Sequence, residues 1–265
     1  ELNQYSKRRF KLENALRVAL SKKEIFIVYQ PQIDLKQREV YGFEALVRWQ
    51  HPELGFISPV EFIPIAESTG LINKIGLFVL EESIRQIQRL NEKFNRSLNI
   101  SVNVSSRQFD KPDLPELINH LLNKNNCPSE NLKIEITESL LLQESTTVLE
   151  LLTLISNLGV KIALDDFGTG YSSLAYLKKF PIDIVKIDQS FVRDINSDAE
   201  DAILVKTIIA MANGLNMDMI AEGVETSEQK AFLEVEECHL IQGYYFSKPL
   251  QDNEVDDFLL NWRFK

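Results

Sequence analysis

An α/β barrel with eight strands is the fold class this sequence predicts, and three observations predict it. The chain has 265 residues, close to the roughly 250 that one βα barrel occupies. Short β-branched or aromatic runs alternate with longer stretches of helical period, the pattern of a mostly parallel sheet crossed by helices. Acids and amides then recur at the ends of the apolar runs, where the strand termini of a barrel converge on one mouth.

The elements follow in order. Residues from about Tyr5 to Leu20 set Phe10, Leu16 and Leu20 among Lys, Arg and Glu, the spacing of an amphipathic helix. It is expected either to lead in from an upstream region or to cap the barrel, with the boundary at residues 1–21 and the barrel over 22–265. Strands are expected at Ile25 to Gln30, Val40 to Trp49, Leu98 to Val104, Leu132 to Thr137, Val160 to Asp165, Ile182 to Ile187, Met217 to Ala221 and His239 to Gly243. Helical stretches lie near Pro59 to Arg89, Leu114 to Lys124, Leu142 to Leu158, Asp198 to Leu215, Ser227 to Val235 and Asn253 to Trp262. The segment Pro31 to Glu39 is too short for a crossover helix, so the first two strands are expected to be antiparallel and the barrel irregular at its start. No repeat or low-complexity tract divides the chain.

Composition narrows the function. With 44% hydrophobic and 26% charged residues, disorder is not the expectation. A net charge of −10 argues against binding to a DNA or RNA polymer, whose affinity comes mostly from Lys and Arg. Cys127 and Cys238 form no CxxC pair, which fits a reducing cytoplasm rather than a disulfide framework or a zinc site. No apolar run approaches the roughly 20 residues that span a bilayer, and no signal peptide opens the chain. It begins at Glu1 rather than Met, the start expected of a piece of a longer protein that carries any anchor elsewhere.

Glu44 and Arg48 lie in the second strand, Asn103 ends the third, Glu135 and Glu138 close the fourth, and Asp165 with Asp166 end the fifth. Lys186 and Asp188 end the sixth, Glu222 and Glu225 follow the seventh, and Gln242 closes the eighth. Taken singly, each acid can be read as the cap of the following helix. Taken together they put at least five carboxylates in one mouth, which is costly without cations because close like charges do not all stay ionised. Oxygen ligands without convergent His or Cys suit hard cations such as Mg²⁺ or Mn²⁺. The neighbours Asp165 and Asp166 permit a carboxylate shared between two ions, the arrangement that serves in-line phosphoryl displacement. Lys186, at the end of an apolar strand, is expected to pair with carboxylates or to hold a nucleophilic water. The loop from Asp165 to Ser173, with Gly168, Gly170 and Tyr171, reads equally as a lid or as an inert turn, and it lacks the P-loop pattern.

These residues resemble the EAL phosphodiesterases of cyclic di-GMP signalling over nearly the whole chain. The resemblance runs through Tyr29-Gln30-Pro31, Glu44-Ala45-Leu46 with Arg48, Phe62-Ile63-Pro64 with Ala66-Glu67, and Asn103-Val104-Ser105. It continues through Glu135-Ile136-Thr137-Glu138, Asp165-Asp166-Phe167-Gly168, Lys186-Ile187-Asp188, Glu222-Gly223-Val224-Glu225-Thr226 and Gln242-Gly243-Tyr244. The departures are Glu236-Glu237 ahead of Cys238 and Asn216, where the family often has glycine, and none is a ligand.

The resemblance implies a modified TIM (β/α)8 barrel with one antiparallel strand near the N-terminus, and metal-dependent hydrolysis of cyclic di-GMP to linear pGpG. It implies metal ligands at Glu44, Asn103, Glu135, Asp165, Asp166 and Glu222, and catalytic roles for Lys186 and Glu222. Substrate contacts carry over to Gln30, Leu46, Arg48, Asp188, Glu225 and Gln242, and a loop-anchoring role to Glu138. Implied with them are two ions of Mg²⁺ or Mn²⁺, inhibition by Ca²⁺, a homodimer, and an upstream sensor, GGDEF or PAS domain. The alternative within the family is a receptor module that binds the dinucleotide without turnover, usually after losing ligands that are all present here.

Overall fold

The computed structural model describes residues 2–142, 145–168 and 177–264. In chain order the elements are α1 (Leu2–Ala19), β1 (Ile25–Asp34), β2 (Glu39–His51), β3 (Gly55–Ile57), α2 (Pro59–Thr69), α3 (Ile72–Phe94), β4 (Asn99–Asn103), α4 (Leu114–Lys124) and β5 (Leu132–Thr137). They continue as α5 (Glu138–Leu141), α6 (Thr146–Asn157), β6 (Lys161–Phe167), β7 (Ile184–Ile187), α7 (Gln189–Arg193), α8 (Ala199–Gly214), β8 (Asp218–Ala221), α9 (Ser227–Val235), β9 (Leu240–Gln242) and α10 (Asp252–Leu260).

Eight strands close into a barrel in the order β1-β9-β8-β7-β6-β5-β4-β2, with β2 returning to β1. The strand β1 runs antiparallel to both neighbours, while the rest of the ring is parallel. The short connection between β1 and β2 dictates this, as its length predicts. The small strand β3, unanticipated, folds back onto β2 through Trp49↔Ile57. At the floor, the buried Lys133 amine stands 3.6 Å from the Tyr41 ring centre. Burial pushes its pKa down to about 7.

The helical stretch expected at Pro59 to Arg89 is two helices. Gly70 takes a left-handed φ of 73° and ends α2 by donating its N–H to the Glu67 carbonyl, a role glycine fills without Cβ strain. The chain bends by 117° between α2 and α3. No single helix among the described residues is long and apolar enough to cross a membrane. The outer layer of the core forms where Phe62 of α2 meets Trp49 of β2 edge-on at 5.6 Å. Leu12, Leu16 and Ala19 of α1 are buried, at i, i+4 and i+7.

Candidate active site at the barrel mouth

Lys186 lies at the centre of the mouth and is 1% exposed. Its Nζ is 2.6 Å from Glu135 Oε2, 2.8 Å from Glu222 Oε1, 2.9 Å from Asp165 Oδ1 and 3.7 Å from Glu44 Oε1. Of its two expected partnerships, the structure therefore displays the one with carboxylates. Asn103 donates from Nδ2 to Glu44 Oε1 over 2.7 Å, which leaves its Oδ1 for another partner. Gln242 donates to Glu44 Oε2 and, over 3.2 Å, to Gln30 Oε1. Gln32, which sequence reasoning passed over, donates in turn to Gln242 Oε1 over 3.0 Å.

Strand geometry explains how so many side chains face one point. In β5 Glu135 lies two residues beyond Lys133, so both project to the same side of the strand. In β6 regular alternation would turn Asp166 away from Asp165. The pairing with β7 instead slips between Leu164 and Phe167, and Asp166 adopts a left-handed φ of 53°. An extra residue is thus taken up where a bulge re-aims side chains. As a result Asp165, Asp166 and Glu222 offer ligand atoms all within 4.8 Å of one another.

Burial and mutual repulsion shape the charges. Burial, then Glu44, raises the Glu135 carboxyl well above its ordinary value. Burial raises Glu222 to about 8 and, with Asp165 and Asp188 nearby, Asp166 to about 6. Burial works against Glu44 as well, but Lys186 and the donors Gln242 and Asn103 hold it below its usual range. Lys186 is desolvated too, yet its four acidic neighbours raise its pKa. One lysine thus faces more carboxylate than it neutralises, and Glu135 Oε1 is buried with no hydrogen-bond partner among the described residues. This donor set of hard oxygens, with a buried unmatched acceptor, fits divalent cations.

Two cavities flank the cluster. One, of about 280 Å³, has a largely apolar wall that includes Leu46, Pro59, Ile63 and Val79, with Arg48, Glu67 and Ser105 as polar groups. The other, of about 290 Å³, includes Gln30, Glu225, Gln242 and Tyr244 beside Glu44, Asp165 and Glu222. The expected substrate contacts are therefore divided between two sides. Asp188 stands apart from both walls, where it caps α7 by accepting from the Ser190 N–H over 2.9 Å. Glu138 is buried, and neither of its carboxylate oxygens has a hydrogen-bond partner among the described residues. Residues 169–173 of the expected lid or turn lie outside the described residues.

Sequence reasoning missed Glu67 as a wall residue. Its signal was a carboxylate that closes the apolar run Phe62 to Ala66, one helical turn from Ile63. It also missed Gln108, which completes a capping box with Ser105 at the turn Ser106–Asp110.

Known proteins carry the same architecture. The family model described as EAL domain matches residues 13–249. Among curated relatives, Cyclic di-GMP phosphodiesterase NbdA of Pseudomonas aeruginosa is 39% identical over 253 residues, 96% of this chain and 32% of its own length. Cyclic di-GMP phosphodiesterase PdeR of Escherichia coli is 40% identical over 250 residues, 94% of this chain and 38% of its own. This chain thus spans about a third of the length of such relatives. The solved structure described as PaMucR Phosphodiesterase, c-di-GMP complex superposes with a TM-score of 0.88 at 38% identity, covering 92% of this chain and 99% of that one. Since the match runs from the second half of α1 past β9 and takes in every strand that feeds the acidic mouth, the chain belongs to the EAL domain family.

Proposed function

We propose that this chain hydrolyses one phosphodiester of cyclic di-GMP to give linear pGpG. The observation that carries the reading is one carboxylate cluster flanked by two cavities, which suits a cyclic dinucleotide with a phosphodiester at the cluster and a nucleoside to either side. The dinucleotide named for the PaMucR complex and the activities named for NbdA and PdeR support the choice of substrate.

Glu44, Asn103, Glu135, Asp165, Asp166 and Glu222 would hold two Mg²⁺ or Mn²⁺ ions. When bound, such ions neutralise the phosphate and ease loss of a proton from water. Arg48, on the wall of the 280 Å³ cavity, offers its guanidinium to a phosphate oxygen. Leu46 packs a base on that side, and Gln30, Glu225 and Gln242 orient the other half. Asp188 lies close enough to Asp166 to raise its pKa, and orients it. Lys186 Nζ, held by four acids, positions the attacking water, and Glu222 takes its proton. Glu138 anchors the loop after Asp166, whose residues 169–176 lie outside the described residues. Ca²⁺, which tolerates more and longer oxygen contacts than Mg²⁺, is inhibitory in this reading.

The same reading takes residues 1–21 as a connecting helix and 22–265 as the EAL domain of a cytoplasmic, homodimeric region in a larger protein with a sensor, GGDEF or PAS domain. The test is incubation of the purified chain with cyclic di-GMP and Mg²⁺ or Mn²⁺, following pGpG by chromatography with an EDTA control. EDTA-sensitive product is expected. Tight binding with no product would replace the enzyme by a receptor module.

A further inference from the structure

The helix α2 presents three faces to three different neighbours. Phe62 and Ala66 are buried, with Phe62 against Trp49 of the barrel. Pro59, Ile63 and Glu67 line the 280 Å³ cavity beside the acidic cluster. Glu61, Pro64 and Ile65 share a separate cavity wall with Leu12 of α1. At 100° per residue this third face is turned roughly opposite to the second. The helix is therefore a wedge between α1 and the candidate substrate cavity.

Both sides of the wedge are fastened. Arg8 of α1 forms a forked pair with the Glu61 carboxylate, and Arg9 donates to Ser68 Oγ over 3.0 Å. On the cavity side, Ser105 Oγ donates to Glu67 Oε1 over 2.6 Å. Ser105 is two residues past Asn103, whose amide holds Glu44. The segment after it is confined from the far side, since the Gln108 amide stands where a Cβ on Gly76 would be, 2.2 Å from it. The seam between α1 and α2 is less complete, for a cleft of about 390 Å³, open to solvent beside Val60, runs along it. Helices that meet across a partly solvated seam can shift against each other more readily than across a filled core.

We propose that α1 tunes substrate affinity at the mouth by setting the position of α2, with the Glu67–Ser105 hydrogen bond as the coupling element. Leu12 and Leu16 are then positioning residues that act on the cavity from outside the barrel. This rests on the cyclic di-GMP reading above for the identity of the substrate, but not for the mechanical coupling itself.

The decisive variant is Leu12→Ala in the full chain. Steady-state hydrolysis should show KM for cyclic di-GMP raised about two- to thirtyfold, the range of coupling changes along such paths, with kcat within about twofold. Leu12→Met, which keeps the volume, should restore KM. In a double-mutant cycle, Leu12→Ala should add little to the KM increase of Glu67→Ala, because the coupling element is already gone. Amide hydrogen exchange should quicken over residues 59–70 and 104–110 and stay unchanged over 132–137. Unchanged KM, or exchange confined to α1, would overturn the inference and leave α1 a passive cap. If the wild-type chain neither binds nor cleaves cyclic di-GMP, the functional reading fails, and the exchange pattern still decides the coupling. Should Leu12→Ala melt the barrel, the milder Arg8→Ala, Arg9→Ala double variant carries the same exchange measurement.

Discussion

Glu44 meets three partners at once: Asn103 and Gln242 donate to it, and Lys186 stands 3.7 Å away. Replacing it with Ala removes a proposed metal ligand and frees both amides, so Glu44→Ala should cut turnover by orders of magnitude. Wild-type-like hydrolysis by that variant would remove Glu44 from the ligand set. Glu222 allows a second prediction, on the metal-free protein. Its carboxyl is raised from an ordinary value of 4.5 to about 8, first by burial. Between those values the folded chain binds more protons than the unfolded one, so this contribution to stability is full below pH 4.5 and lost as pH rises towards 8. The melting temperature in EDTA should fall from about pH 5 to pH 8, and Glu222→Gln, which does not titrate, should flatten that slope. An equal slope in both proteins would show that other groups govern it.

At the scale of elements, Gly76 in α3 shows how a local rule yields to packing. Alanine is the better helix former by about 1 kcal/mol, yet a Cβ here would meet Gln108 Nε2 at 2.2 Å. Gln108 is buried and closes the capping box with Ser105. Gly76→Ala should therefore cost the chain about 0–2 kcal/mol in urea unfolding, the usual cost of overpacking, roughly 1–3 kcal/mol, less the helix-propensity gain, and a gain in stability would show that Gln108 moves aside freely. Elements with one dominant period were legible in the sequence. Each expected strand forms, and the antiparallel start follows from the short segment Pro31 to Glu39. The break at Gly70 was not, because apolar residues of α2 and α3 continue a helical period across it and only the backbone turn reveals the bend. The cavity wall was equally hidden, since Pro59, Ile63 and Glu67 acquire a common role only once α2 is laid against the β4 end. The acids at strand ends were legible because a barrel sends strand termini to one mouth. How Asp165 and Asp166 both reach it was settled by a bulge that alternation does not foretell.

For the whole molecule, the barrel concentrates at one end the acids of β2, β5 and β6 with Glu222 after β8, against a single buried Lys186. Folding without cations has to bring these groups together against their repulsion and desolvation, while the unfolded chain keeps them apart in water. A cation bound only by the folded mouth therefore stabilises every element that closes the ring, not just the residues that touch it. At a concentration about a hundredfold above its Kd, the linkage is about 2.7 kcal/mol, or roughly 5–10 °C in melting temperature for a chain of this size. Mg²⁺ or Mn²⁺ should raise the melting temperature of the wild-type chain by that amount, reversibly with EDTA. In Asp165→Asn the metal-free protein should melt no lower than wild type, since one repelling charge is gone, and the metal-induced rise should shrink and require higher cation concentration. An undiminished rise in that variant would locate cation binding away from the mouth, and the cluster around Lys186 would then be a self-contained network of ion pairs.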